Sequence, residues 1–227
     1  MDVNADFSQR AAVHAARLPW VPSPMPGVER RMLDRIGDEV ARATSIVRYA
    51  PNSAFSPHTH GGGEEFLVLD GVFADEHGDF PAGAYIRNPP TSRHTPGSRP
   101  GCTLFVKLWQ FDPRDRTAVR IDTAQAAFRP AAERPGVEIM PLFEDAREQV
   151  RLERWRAGAE ITLLVQGGIE ILVLEGDFGE SGERFVPQSW LRLPAGAGLA
   201  ARAGAEGCRV WMKTGHLAQA QAVPPAP

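Results

Sequence analysis

The chain has 227 residues, with 25 Lys plus Arg against 28 Asp plus Glu, a formal charge of −3. A mildly acidic chain lacks the basic face that phosphate backbones require, which argues against a nucleic-acid partner. With 43% hydrophobic and 23% charged residues it can build a sizeable core, and no apolar run approaches the ~18–20 residues of a membrane span.

The first ten residues have no basic stretch followed by an apolar one, so no signal peptide is expected and a cytoplasmic location follows. Residues 1–25 read as an N-terminal extension. Residues 33–43 carry apolar positions at 33, 36 and 40 but also Gly37, a weak helical pattern. Beyond them come short runs rich in Val, Ile, Leu and aromatics. Turn formers separate the runs: Asp70-Gly71, His77-Gly78-Asp79, Pro81-Ala82-Gly83 and the stretch from Gly97 to Gly101. This punctuation predicts strands and an all-β sandwich or barrel. Residues 116–134, rich in Arg, Ala and Pro, read as a connection. Residues 142–150 are again ambiguous, and 218–227 read as a disordered tail.

The chain repeats itself. Pro-Gly-Val-Glu stands at 26–29 and at 135–138. The run 66–73 aligns with 171–178 at an offset of 105. The same offset takes Phe80, Tyr85, Arg87 and Pro89 to Phe185, Trp190, Arg192 and Pro194. At 106, Cys102 and Lys107 find Cys208 and Lys213. Two copies are predicted, over 26–115 and 135–217. The two cysteines occupy one position of a duplicated fold, which suits small buried side chains better than a disulfide.

The first copy contains His58-Thr59-His60-Gly61-Gly62-Gly63-Glu64-Glu65 and, later, His94. Residues i and i+2 of a strand share a face, so His58 and His60 can grip one ion together. At offset 105, His58, His60, Glu64 and His94 become Leu163, Val165, Ile169 and Leu199, while Glu65 persists as Glu170. A metal site converted to apolar packing should lose its inward donors together. The expected ligands are therefore His58, His60, Glu64 and His94, with Glu65 structural and the second copy a filled core. Arg87 and Lys107 recur in the donor-free copy and read as structural. Tyr85, which aligns with Trp190, reads as aromatic packing. His77 and Asp79 read as a solvated turn. Three imidazoles and a carboxylate suit one divalent transition metal, Fe, Zn, Mn, Ni or Co, and disfavour Ca and Mg.

These residues resemble the cupin family. Its first motif has the form G-x5-HxH-x3,4-E-x6-G, and His58, His60, Glu64 and Gly71 fit its body, with Asn52 where the leading glycine is expected. Its second motif, G-x5-PxG-x2-H-x3-N, is matched by Gly83, Pro89 and His94, with Thr91 for the inner glycine and Ser98 for the asparagine. The resemblance implies two tandem double-stranded β-helix (jelly-roll) domains, a bicupin, with His58, His60, Glu64 and His94 as ligands. More narrowly, the stretch 57–90 and Gly101 to Leu108 are similar to the ChrR-type cupins, which include the C-terminal domain of ChrR anti-sigma factors and small dioxygenase-like proteins. The anti-sigma members also carry an N-terminal zinc domain with a His-x3-Cys-x2-Cys motif. Here both cysteines lie in the repeats and 25 residues precede Pro26, so binding of a sigma factor is not expected.

Two functions stand open at this level. One is an O2-dependent dioxygenase acting on a small ketone or diketone. The other is a non-catalytic metal-binding sensor in stress-response transcription. A small-molecule substrate is the expected partner, with homodimerisation through strands as cupins commonly show.

Overall fold

The computed structural model describes residues 1–38 and 40–219; most of the expected tail lies outside them. The described residues form β-strands and two short 3-10 helices, with no α-helix. The described residues of both ambiguous stretches fall in strands and the turns that join them, not in helices. Val28–Gly37 pairs with Ala41–Tyr49, and Val137–Glu144 pairs with Gln149–Trp155. Their three- and four-residue apolar spacing arises from a bulge. The register shifts between Met32 and Asp34 in the first pair and between Pro141 and Phe143 in the second.

The described residues fall into two compact units. Unit 1 comprises residues 1–5 and 18–126; unit 2 comprises residues 6–17 and 127–219. In unit 1 the main sheet runs Val119–Asp122, Ala84–Asn88, Glu64–Asp75, Cys102–Leu108, Ala41–Tyr49, Val28–Gly37 and Val21–Pro22. A two-stranded sheet joins His58–Thr59 to Arg93–His94. In unit 2 the corresponding order is Ala11–His14, Ser189–Leu193, Ile169–Glu180, Gly198–Thr214, Gln149–Trp155, Val137–Glu144 and Arg129–Pro130. These are two copies of one antiparallel jelly roll.

The copies exchange their leading strands. Ala11–His14 lies before the first copy yet pairs in unit 2, Ala11 opposite Arg192 and His14 opposite Ser189. Val119–Asp122, in the stretch read as a connection, takes the equivalent place in unit 1, Val119 opposite Arg87 and Asp122 opposite Ala84. The N-terminal strand is tied down in unit 2 by Arg10 on Glu180 at 2.7 Å and His14 on Glu183 at 2.8 Å. The segments read as an extension and a linker are thus parts of the two sheets.

Period-two alternation builds the interiors. In unit 1, Phe66, Val68, Ile86, Leu104 and Val106 share one buried cluster. In unit 2, Ile171, Val173, Leu191, Val210 and Met212 do the same. Gly71 and Gly176, both with positive φ, show why the Asp/Glu-Gly pair recurs. A Cβ at either would strike the carbonyl of Gly101 or Gly207 on the neighbouring strand.

Candidate metal centre

His58 and His94 are direct cross-strand partners on the small sheet. His60 follows at the end of the first of these strands, and Glu64 opens Glu64–Asp75. The intervening glycines let the chain turn beneath two rings. A Cβ at Gly62 would overlap Trp109, and one at Gly63, whose φ is +77°, would overlap Phe111. Asn52 and Thr91, at the two positions where the cupin motifs carry glycine, both hold left-handed backbone, with φ of 60° and 74°. Asn tolerates that region; β-branched Thr91 is strained there. Its amide donates to the His60 carbonyl, and the His60 amide donates to Ser92, so the turn braces the site.

The structure brings all four expected residues together. The three imidazole rings stand 4.7–4.9 Å apart by centroid. His60 Nε2 lies 3.0 Å from His94 Nε2. Glu64 Oε2 lies 3.4 Å from His60 Nε2 and 3.7 Å from His94 Nε2. Donors ~2.0–2.2 Å from a common ion are about 3.0 Å apart at a right angle and about 3.4 Å at the tetrahedral angle; the His60–His94 and His60–Glu64 separations match these values, and the 3.7 Å between Glu64 and His94 is slightly wider.

The proton positions also suit a cation. Asp75 Oδ2 lies 3.3 Å from His94 Nδ1, and the Ser56 carbonyl lies 3.2 Å from His58 Nδ1. A carboxylate and a carbonyl only accept, so each Nδ1 carries the proton and each Nε2 presents a lone pair. Burial, and then the neighbouring His58, push His60 down to about 4. Burial likewise lowers His94 against the pull of Glu64. Burial raises the Glu64 carboxyl, against His94 and the Asn88 amide, which donates to its Oε2 at 3.3 Å. Two imidazoles held toward neutrality, His60 and His94, beside a reluctant carboxylate leave the cluster short of positive charge, which a divalent ion would supply.

Comparison with known proteins identifies the family. A model described as the ChrR cupin-like domain matches twice, over residues 8–112 and 116–218. The chain belongs to the ChrR cupin-like family. Each match opens ahead of an exchanged strand, so the family's unit of sequence includes it. No curated protein matches. Among solved structures, one is a Nostoc punctiforme protein for which dioxygenase activity has been proposed. It is 13% identical, with a TM-score of 0.77 over 97% of this chain and 88% of that one. The Escherichia coli protein Ylba is 13% identical, with a TM-score of 0.70 over 93% of each chain. The bacterial pirin YhhW of Escherichia coli, in complex with nickel(II), is 12% identical, with a TM-score of 0.66 over 91% of this chain and 99% of that one. At such identities the likeness is one of fold.

The second cupin repeat carries apolar side chains where the first has its donors. Ile169 and Leu199 are fully buried in the unit 2 core, Leu163 and Val165 pack against it, and Leu163 stands opposite Leu199 as His58 stands opposite His94. Glu65 turns away from the cluster. It lies between Lys107 and Arg87 on the neighbouring strands and accepts from the Tyr85 hydroxyl at 3.0 Å. Glu170 repeats this with Lys213, Arg192 and the Trp190 indole at 2.8 Å. Tyr85 and Trp190 are therefore hydrogen-bond donors to equivalent glutamates as well as packing groups. Arg87 and Arg192 are both buried, Arg87 on Asp115 at 2.6 Å and Arg192 on the Asp6 carbonyl at 3.0 Å.

Sequence reasoning missed Asp75 and Asn88, the groups behind His94 and Glu64. Asp75 also lies 3.2 Å from His77, which is exposed, as is Asp79, in keeping with the solvated turn expected there. The signal available for Asp75 was an acid late in the strand that Glu64 opens.

Proposed function

We propose that this ChrR-like bicupin is a metal-dependent oxygenase. Unit 1 holds one divalent transition ion on His58, His60, Glu64 and His94 and acts on a small ketone or diketone with O2. The observation that carries this reading is a cavity of about 450 Å³ in unit 1 whose lining includes His58, Glu64, Val47, Phe55, Leu104 and Val106. A purely structural ion needs a closed shell; this cluster opens into an apolar chamber of the size that holds small organic ligands. A bound Fe(II) or related ion would polarise the ketone oxygen and supply electrons for O2 chemistry.

The chain's own contributions are positional. Asp75 and the Ser56 carbonyl fix the His94 and His58 tautomers. Asn88 orients Glu64. Val47, Leu104 and Val106 present an apolar wall that disfavours bulk water at the reacting centre. A redox-sensing thiol finds no support, since burial pushes Cys102 up to about 11 and Cys208 up to about 12.

The test is elemental analysis of protein purified without added metal, followed by O2-electrode assays of the iron-loaded protein with acetylacetone and aryl ketones. One transition ion per chain and ketone-dependent O2 uptake are expected. A metal-loaded protein that consumes no O2 with any of them would refute the oxygenase reading.

A further inference from the structure

Among the cavity-lining residues, Glu64 is the one acid, and two arginines, Arg30 and Arg35, line the same cavity. Both lie on Val28–Gly37. The bulge at Leu33 brings Arg35 into phase with Val28 and Arg30, so that all three line the same chamber. The Arg35 Nε donates to the Gly37 carbonyl at 3.2 Å. The Arg30 Nε is buried without a hydrogen-bond partner, and no carboxylate among the described residues pairs with this side chain.

Arg30 is half-buried, and a guanidinium partly withdrawn from water is served by an anion placed against it. Unit 2 illustrates the alternative. Ile139 takes the place of Arg30, and Glu153 takes the place of Val47 opposite it. Glu153 is fully buried and is held by Arg134 at 2.7 Å, Arg151 at 2.7 Å and the Trp155 indole at 2.6 Å. At this position unit 2 pairs its charge internally, whereas in unit 1 Arg30 lines the cavity beside an apolar wall.

Register fixes the separation of the two polar ends. Arg30 stands opposite Val47 and Val47 opposite Leu104, while Leu108 stands opposite Glu64. Four residues of strand, about 13 Å, separate the two rows. The reach of both side chains shortens the gap to that of a compact bifunctional molecule. We infer that the cavity selects a keto carboxylate: the carboxylate sits on Arg30 and the ketone oxygen, remote from it, faces the histidine–glutamate cluster. This narrows the substrate class of the proposed function and rests on its placing of the reacting end.

The test is anaerobic calorimetry with 4-acetylbenzoate and 4-methylacetophenone, which differ only in carboxylate against methyl and cannot chelate an ion through both ends. The wild type is expected to bind the acid at least ~10-fold more tightly, the scale of one hydrogen bond to a charged group. Arg30→Gln should bring the ratio near one without changing metal content, and Arg30→Lys should keep part of it. Equal affinities in the wild type, or a ratio that survives Arg30→Gln, would overturn the inference. Should Arg30→Gln not fold, the wild-type ratio and its reduction in Arg30→Lys decide. Loss of O2 uptake with the ratio intact would count against the oxygenase reading alone. Equal wild-type affinities for the two probes, with ketone-dependent O2 uptake intact, would count against the role of Arg30 alone.

Discussion

Ile169→Glu puts a carboxylate where the second copy has abandoned its site. Ile169 has no exposed surface and lies in the unit 2 core with Leu199, with Leu193 and Thr214 as its cross-strand partners. Its counterpart Glu64 has two imidazoles within 3.7 Å and an amide at 3.3 Å; Ile169 has none of these. The new carboxyl must therefore be neutral when folded. Holding it protonated at pH 7 against an unfolded value near 4.3 costs about 3.7 kcal/mol. Losing the buried Ile surface adds about 2 kcal/mol, and an unbonded polar group adds about 1–3 kcal/mol. The total of roughly 7–9 kcal/mol rivals the whole stability of a typical domain. Because the folded-state pKa is raised, the folded form binds the extra proton. The penalty should shrink by about 1.4 kcal/mol for each pH unit lowered toward 4.3. Thermal melts at pH 7.5 and 5.5, with metal content measured alongside, check this. The unit 2 transition should be lost or strongly lowered, less so at pH 5.5, with the unit 1 ion retained. An unchanged melt would refute the inward placement of Ile169 and the account of the second copy as a filled site.

Elemental analysis of the wild type should return one tightly held transition ion per chain, since Leu163, Val165, Ile169 and Leu199 carry no donor atoms; two ions would contradict this. Glu64→Gln should lower metal content sharply, whereas Glu65→Gln should spare the metal and lower the melting temperature through Tyr85, Lys107 and Arg87; the reverse ranking would mean the wrong glutamate faces the ion. Asp75→Asn should weaken metal affinity about 10–100-fold in competition with a chelator, with little change in melting temperature. Glu153 is held below its usual range by Arg134, Arg151 and Trp155 although burial acts to raise it. Its contribution is thus present above about pH 4.3 and lost as pH falls through the lower folded value. Glu153→Gln should cost about 3–5 kcal/mol at pH 7 and flatten the acid limb of the Trp-fluorescence unfolding curve.

Much of this was legible in the residues because the chain carries its own control. The loss of four donors against one retained glutamate singled out Glu64, and the geometry brings Glu64, not Glu65, to the histidines. The turn glycines and β-rich runs gave the strand order its punctuation. Other features were not legible for local reasons. The bulges at Leu33 and Leu142 shift the side-chain phase, so apolar spacing there imitates a helix. Asn52 and Thr91 keep a glycine-like backbone without glycine, hiding the turn in the motif. The four-residue strand Ala-Ala-Val-His has little β-propensity of its own and is extended because Ser189–Leu193 offers it an edge.

The exchanged strands set a timetable for synthesis. Val119–Asp122 pairs back onto Ala84–Asn88, so unit 1 has its last sheet strand soon after that segment is made. Ala11–His14 is made long before Ser189–Leu193 and has no partner until that strand exists. At ~5–20 residues per second, it waits about 10–40 s. Its small, weakly strand-forming side chains make it a poor template for pairing elsewhere during the delay. When it docks, it joins residues separated by most of the chain, so the loop-closure cost falls on the final step of folding. A nascent chain released before that step would hold a complete unit 1 and an open-edged unit 2.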